Sequence, residues 1–224
     1  MHPLGYRRDI DGLRAISILL VLVYHLEIVL GGTKMFAGGY IGVDVFFVIS
    51  GFLITSILRK ELEQTGRIRF RRFYIRRARR LLPALLAMIA ASSVFAWRYL
   101  LPDQLTEFAN SAIWSIFFVS NFFWLFNLQE YGAESGLLMP LLHTWSLAVE
   151  EQYYFFAPVA IWGLWRLFGR RLDLFFVGLS AAGFGLAVYF SQLDHMASFY
   201  LLPSRIWEIS AGAALAIHMS NRPD

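Results

Sequence analysis

Apolar windows recur seven times along this chain, over about 11–31, 40–59, 82–101, 106–126, 145–168, 172–192 and 205–219. A helix needs about 20 apolar residues to span the hydrocarbon core of a bilayer. In hydrocarbon each backbone N–H and C=O must also be bonded internally. These two requirements restrict the chain to an all-α architecture, a polytopic transmembrane helix bundle. Composition agrees, because 58% of residues are hydrophobic where a soluble domain has about 45–50%. The first window lacks the short apolar core and cleavage site of a signal peptide, so it reads as a retained span. No linker, low-complexity stretch or repeat divides the chain, and one domain over 1–224 is expected.

Charge and cysteine usage narrow the chemistry. With no cysteine there is no disulfide, thiolate metal site or thiol nucleophile. No H-E-x-x-H or comparable ligand set is present, so neither a metal nor a permanently bound cofactor is expected. The net charge of +4 does not point to nucleic acid. Ten of the 20 Lys and Arg residues fall in one stretch, "RKELEQTGRIRFRRFYIRRARR", from Arg59 to Arg80. The positive-inside rule puts that stretch, read as a loop, in the cytoplasm. The first window then runs from inside to outside, the N-terminus is cytoplasmic, and the location is the plasma (inner) membrane. Strict alternation would leave Arg170 and Arg171 outside, unless the segment near "SGLLMPLLH" re-enters; the sequence leaves both possibilities open.

Within the first window, "DGLRAISILLVLVYHLEI" carries Arg14 and His25. They stand eleven residues apart, three turns plus about 20°, on one helix face and about 16 Å apart along the axis. A snorkelling Arg and a packed His would account for them; a polar track through the bundle would do so as well. The second window adds Asp44 at a depth similar to that of His25. A carboxylate bonded to one imidazole nitrogen would fix the tautomer and make the other nitrogen a general base. An acid matching a helix N-terminus is the structural alternative for Asp44. Gly39, Gly42 and Gly51 suit close helix packing, and Ser50 in "ISGF" lacks the surroundings of an activated nucleophile.

Four stretches, "YRRDIDGLRAISILLVLVYH", "GGYIGVDVFFVISGFLIT", "RRFYIRRARRLLPALL" and "HTWSLAVEEQYYF", resemble the acyltransferase-3 family of bacterial integral membrane O-acyltransferases. The resemblance runs in matching order from residue 6 to about 215. It implies transfer of an acyl group, often acetyl from acetyl-CoA, to hydroxyls of surface or exported carbohydrates. Arg14 and His25 meet the family's helix-1 signature. Its paired-arginine signature before a proline is best met by Arg77 and Arg80 before Pro83, although Arg76 with Arg79, or Arg69 with Arg72, also fits. The resemblance implies about ten helices where seven windows are found here, so an incomplete membrane domain is expected.

Together these readings make His25 the catalytic base, with Asp44 and Arg14 beside it. Arg76, Arg77, Arg79 and Arg80 would hold the phosphates of a cytoplasmic acyl-CoA. Topology signalling and binding to lipid headgroups are the alternative role for these arginines. Glu150, Glu151 and Trp145 are candidates for the carbohydrate acceptor. Arg205 and Glu208, at i,i+3, read as a structural ion pair, Trp207 as an interfacial residue, and His195 and His218 as residues without partners. Two other functions fit the same features, a proton-coupled transporter and a non-catalytic membrane subunit.

Overall fold

The computed structural model describes residues 7–30, 33–128 and 139–221. The chain is helical nearly throughout. Helix α1 spans Arg8–His25, α2 Ile41–Thr65, α3 Phe70–Tyr99, α4 Pro102–Ile116 and α5 Ser120–Asn127. Beyond these come α6 (Thr144–Phe168), α7 (Leu172–Leu193), α8 (His195–Tyr200) and α9 (Leu202–Asn221). Between α1 and α2 a short antiparallel ladder pairs β1 (Val29–Leu30) with β2 (Thr33–Lys34). The segment "SGLLMPLLH" lies partly outside the described residues.

Among the described residues three helices are long and apolar enough to cross a membrane: α2, α3 and α7. Two expectations change. The basic stretch is not a loop. Arg59 to Thr65 finishes α2, Gly66 ends it in the left-handed conformation (φ 68°), and Arg71 to Arg80 form the first turns of α3. Arginine is a good helix former, so nothing in that run stops a helix except the turn at Gly66. At 30 residues, α3 is about 45 Å long, which exceeds the roughly 30 Å hydrocarbon core. It also continues through Pro83.

The expected window over 106–126 is not one helix. It breaks between α4 and α5, where Phe118 has φ 55°. Polar side chains satisfy the groups around the break. Gln152 Nε2 donates to the Phe118 carbonyl at 3.1 Å and to Asn121 Oδ1 at 2.7 Å. The buried hydroxyls of Ser115, Thr144 and Ser120 form a chain, with Thr144 2.8 Å from Ser115 and 3.0 Å from Ser120. Buried backbone and hydroxyl groups need such partners, and hydropathy averaging does not register them.

Two compact units, interleaved in sequence, make up the chain: 1–68, 157–186 and 205–224 in the first, 69–156 and 187–204 in the second. In the first unit α1 lies along α2, with Gly42 against Ser17 and Val21. Its core holds Phe47, Ile54, Leu58, Ile209, Ala213 and Ile217. The α2 members of that core follow helical spacing. In the second unit Trp124, Leu141, Ala148 and Val149 are buried. There Arg77 meets Glu151 and Tyr74 meets Phe155, so α3 and the first half of α6 run antiparallel.

Candidate functional site

His25 is the last residue of α1 and is exposed. Its Nδ1 lies 2.8 Å from the Val21 carbonyl oxygen. A carbonyl can only accept, so Nδ1 carries a proton, and in the neutral imidazole the lone pair is on Nε2. Tyr24 meets the imidazole edge-to-face, with ring centroids 5.3 Å apart. Arg14 is half-buried on the same uninterrupted helix, so the expected shared face holds.

The expected pairing of Asp44 with His25 is not formed. Asp44 falls in the first turn of α2, where its charge suits the helix N-terminus, and its Oδ1 accepts from Arg205 Nη1 at 3.1 Å. The same Nη1 lies 3.1 Å from Glu208 Oε1, which confirms the ion pair expected from their spacing. The Glu208 side chain is 0% exposed, and its Oε2 has no hydrogen-bond partner among the described residues. The imidazole proton is therefore placed by the backbone of its own helix, while Asp44 joins α2 to α9.

The four arginines of α3 divide. Arg76, Arg79 and Arg80 are exposed. Arg77 is 19% exposed, and its Nε and Nη2 both donate to Glu151 Oε1, at 2.8 and 2.6 Å. Its guanidinium also lies over the Tyr154 ring, 3.5 Å from the centroid. A residue expected to bind the donor and one expected to bind the acceptor are thus one ion pair. This corrects the assignment of Arg77 as a free phosphate ligand, because its charge is already used. Trp145 is corrected as well: it is buried against Phe199 and Tyr200, with centroids 4.6 and 5.3 Å away, and no face is open for a sugar. Glu150 is half-buried, one residue and about 100° around the helix from Glu151.

Other placements were not readable from spacing. Arg59, counted above among cytoplasmic loop charges, is 4% exposed; it donates to Glu63, the Ile217 carbonyl and Asn221 Oδ1, and lies over Trp165. His218 Nδ1, expected to lack a partner, stands 3.6 Å from Asp173 Oδ2. Tyr74, Phe117 and Phe118 join Arg77 and Glu151 around a cavity. The sequence marks these positions only by aromatic density. Among the described residues no group of three or more His, Asp and Glu is arranged to hold a metal.

Comparison with known proteins follows the same motifs. A family model described as an acyltransferase domain matches residues 7–218. A Staphylococcus aureus (strain MSSA476) protein provisionally named an O-acetyltransferase, SAS0844, is 37% identical over 215 residues, which cover 94% of this chain and 34% of that protein. The peptidoglycan O-acetyltransferase OatA of Listeria monocytogenes is 35% identical over 215 residues, again 94% and 34% of the two chains. The O-acetyltransferase OatA of Staphylococcus aureus strain NCTC 8325 is 34% identical over 219 residues, 96% and 35% of the two chains. The chain thus spans about a third of the length of the curated relatives it matches. No solved structure matches it. The family match extends across both compact units, from α1 with Arg14 and His25 to the last turns of α9, and the chain belongs to the acyltransferase-3 family.

Proposed function

We propose that the protein is a membrane O-acetyltransferase moving an acetyl group from a cytoplasmic CoA thioester to a hydroxyl of a cell-surface carbohydrate, with peptidoglycan the acceptor class. Relatives named for O-acetyl transfer support the reaction. The observation that carries the assignment of the base is the His25–Val21 bond. It leaves an exposed Nε2 lone pair without a catalytic carboxylate having to orient the ring.

In this scheme Nε2 takes the proton of the acceptor hydroxyl as its oxygen attacks the thioester carbonyl. The C–O bond forms and the C–S bond breaks. The imidazolium then returns the proton to the departing thiolate, giving the ester and the free thiol. Arg14 supplies positive charge on the same face of α1, and Arg76, Arg79 and Arg80 meet the donor phosphates. The positive-inside rule favours a plasma-membrane protein with a cytoplasmic N-terminus.

Incorporation of labelled acetyl from acetyl-CoA, followed in membranes containing the whole protein, tests this reading. His25→Ala should lower the rate by about 10²–10⁴-fold, the usual contribution of a general base, at unchanged expression. A variant that acetylates at the wild-type rate would remove His25 from the mechanism.

A further inference from the structure

The link between α1 and α2, within the first unit, leaves its apolar side chains uncovered. Leu26, Val29, Leu30, Phe36 and Tyr40 are each more than half exposed. Successive residues of a strand point to opposite faces, so Val29 and Leu30 give each face of the β1–β2 ladder an open apolar side chain. An isolated two-stranded ladder is marginally stable in water. This one also stands between two non-glycine residues in the left-handed region, Glu27 (φ 48°) and Phe36 (φ 57°), each held there at a cost. Something outside the ladder has to offset these terms.

The neighbouring span shows what surrounds it. Ile41 to Leu58 opens α2 with Asp44 as its single charged residue, and Arg59, Lys60 and Glu61 follow. That apolar stretch measures about 27 Å along the helix, slightly less than the roughly 30 Å hydrocarbon core. Charges close it at Arg59, so the core's other boundary falls at about Tyr40. A tyrosine suits that level, because amphipathic rings gather at headgroup depth. Tyr40 meets Tyr24 edge-to-face with centroids 5.9 Å apart, and Tyr24 meets His25 at 5.3 Å. His25 and the ends of the link thus share the depth of Tyr40. The headgroup layer beyond is about 5–8 Å deep on each side. Two residues per strand, at about 3.3 Å each, give the ladder a comparable length.

Charge and apolarity together select the layer. Between Leu26 and Ile41 only Glu27 and Lys34 carry charge. Two charges resist transfer into hydrocarbon, and a contiguous open apolar surface marks a contact with something other than water. An amphipathic segment at the interface satisfies both, with its apolar side chains toward the acyl chains. We propose that the β1–β2 ladder and its flanks lie in the lipid headgroup layer and moor the end of α1 that carries His25. The partner is the bilayer surface itself, continuous with the lipid around α2. A hydroxyl that reaches His25 then does so at the lipid surface and not deep in the bundle. The mooring is the same on either side of the bilayer, so it stands apart from the topology and from the acceptor.

Fluorescence quenching on the whole protein in phosphatidylcholine nanodiscs tests this, since the chain has no native cysteine. A bimane on Leu30→Cys is compared with one on Gln64→Cys, which is exposed at the far end of α2. Both positions are exposed, and both variants should unfold at the wild-type temperature. A nitroxide high on the lipid acyl chain should quench the Leu30 label more strongly than a nitroxide at the chain end. Aqueous iodide should quench that label several-fold less than it quenches the one at Gln64. Equal iodide quenching of the two labels would overturn the proposal and put the ladder in water. Protection of the Leu30 label from both iodide and nitroxide would overturn it as well, because protein then covers the ladder. In that case its persistence in discs holding one copy would assign the cover to the chain itself, and its loss there to a second copy.

Discussion

Glu208 is wholly buried, yet it shares a single guanidinium, that of Arg205, with Asp44. Two carboxylates and one cation in a helix bundle tolerate the loss of an acid better than the loss of the base. Arg205→Met leaves two acids without a partner, and removing one member of a buried pair costs about 3–5 kcal/mol. Glu208→Gln removes the surplus charge and should cost far less. Thermal unfolding in detergent checks the order: equal losses for the two variants would mean that the guanidinium does not hold the cluster. At this scale the sequence was partly legible. The i,i+3 spacing gave the Arg205–Glu208 pair. Asp44, some 160 residues away, could not be joined to it by spacing, because that contact depends on how α2 and α9 cross. His25 was legible as a residue but not through its partner. Its hydrogen bond goes to its own helix one turn back, where any helical residue finds a carbonyl.

Helices α2 and α9 approach until side chains no longer fit between them. A methyl at Gly51 would run into the Ile209 carbonyl oxygen, and one at Gly212 into that of Val48. Backbone cannot yield as a flexible side chain can, and overpacking typically costs about 1–3 kcal/mol. Gly51→Ala and Gly212→Ala should each lower the unfolding midpoint. Gly178→Ala, at a helical position with nothing near it, should raise it slightly, since alanine favours the helix by about 0.5–1 kcal/mol. Unfolding at the wild-type midpoint in both close-contact variants would show that the crossing has room to spare. Expecting Gly51 to serve close packing was sound, because small residues let helices approach. The break after α4 was not foreseen. Phe117, Phe118 and Val119 read as more apolar helix, and the residues that satisfy the break, Gln152 and Thr144, lie on α6.

For the whole molecule, the orientation proposed above rests on charge alone. The absence of cysteine makes it testable with single introduced thiols. Gln64 and Ala37 are both exposed, one at the end of α2 and one just before its start. A membrane-impermeant maleimide should label Ala37→Cys in intact cells and Gln64→Cys only after permeabilisation. The reverse pattern would invert the topology and place the arginines of α3 on the side away from cytoplasmic CoA.

Apolar run length and the clustering of arginine determined that the chain is helical and belongs in a membrane, because both act locally, through the bilayer's thickness and its surface charge. The ordered motifs gave the family, along with Arg14 and His25 on one helix face, since helical periodicity alone sets that geometry. Only the tertiary structure decided which charges are spent and which are open. Arg59 and Arg77 look like their neighbours in a basic run, yet each faces a carboxylate and is bonded inside its unit, while Arg76, Arg79 and Arg80 point outward. Residues adjacent in sequence differ by about 100° around a helix, and what lies on each side is set by helices distant in the chain.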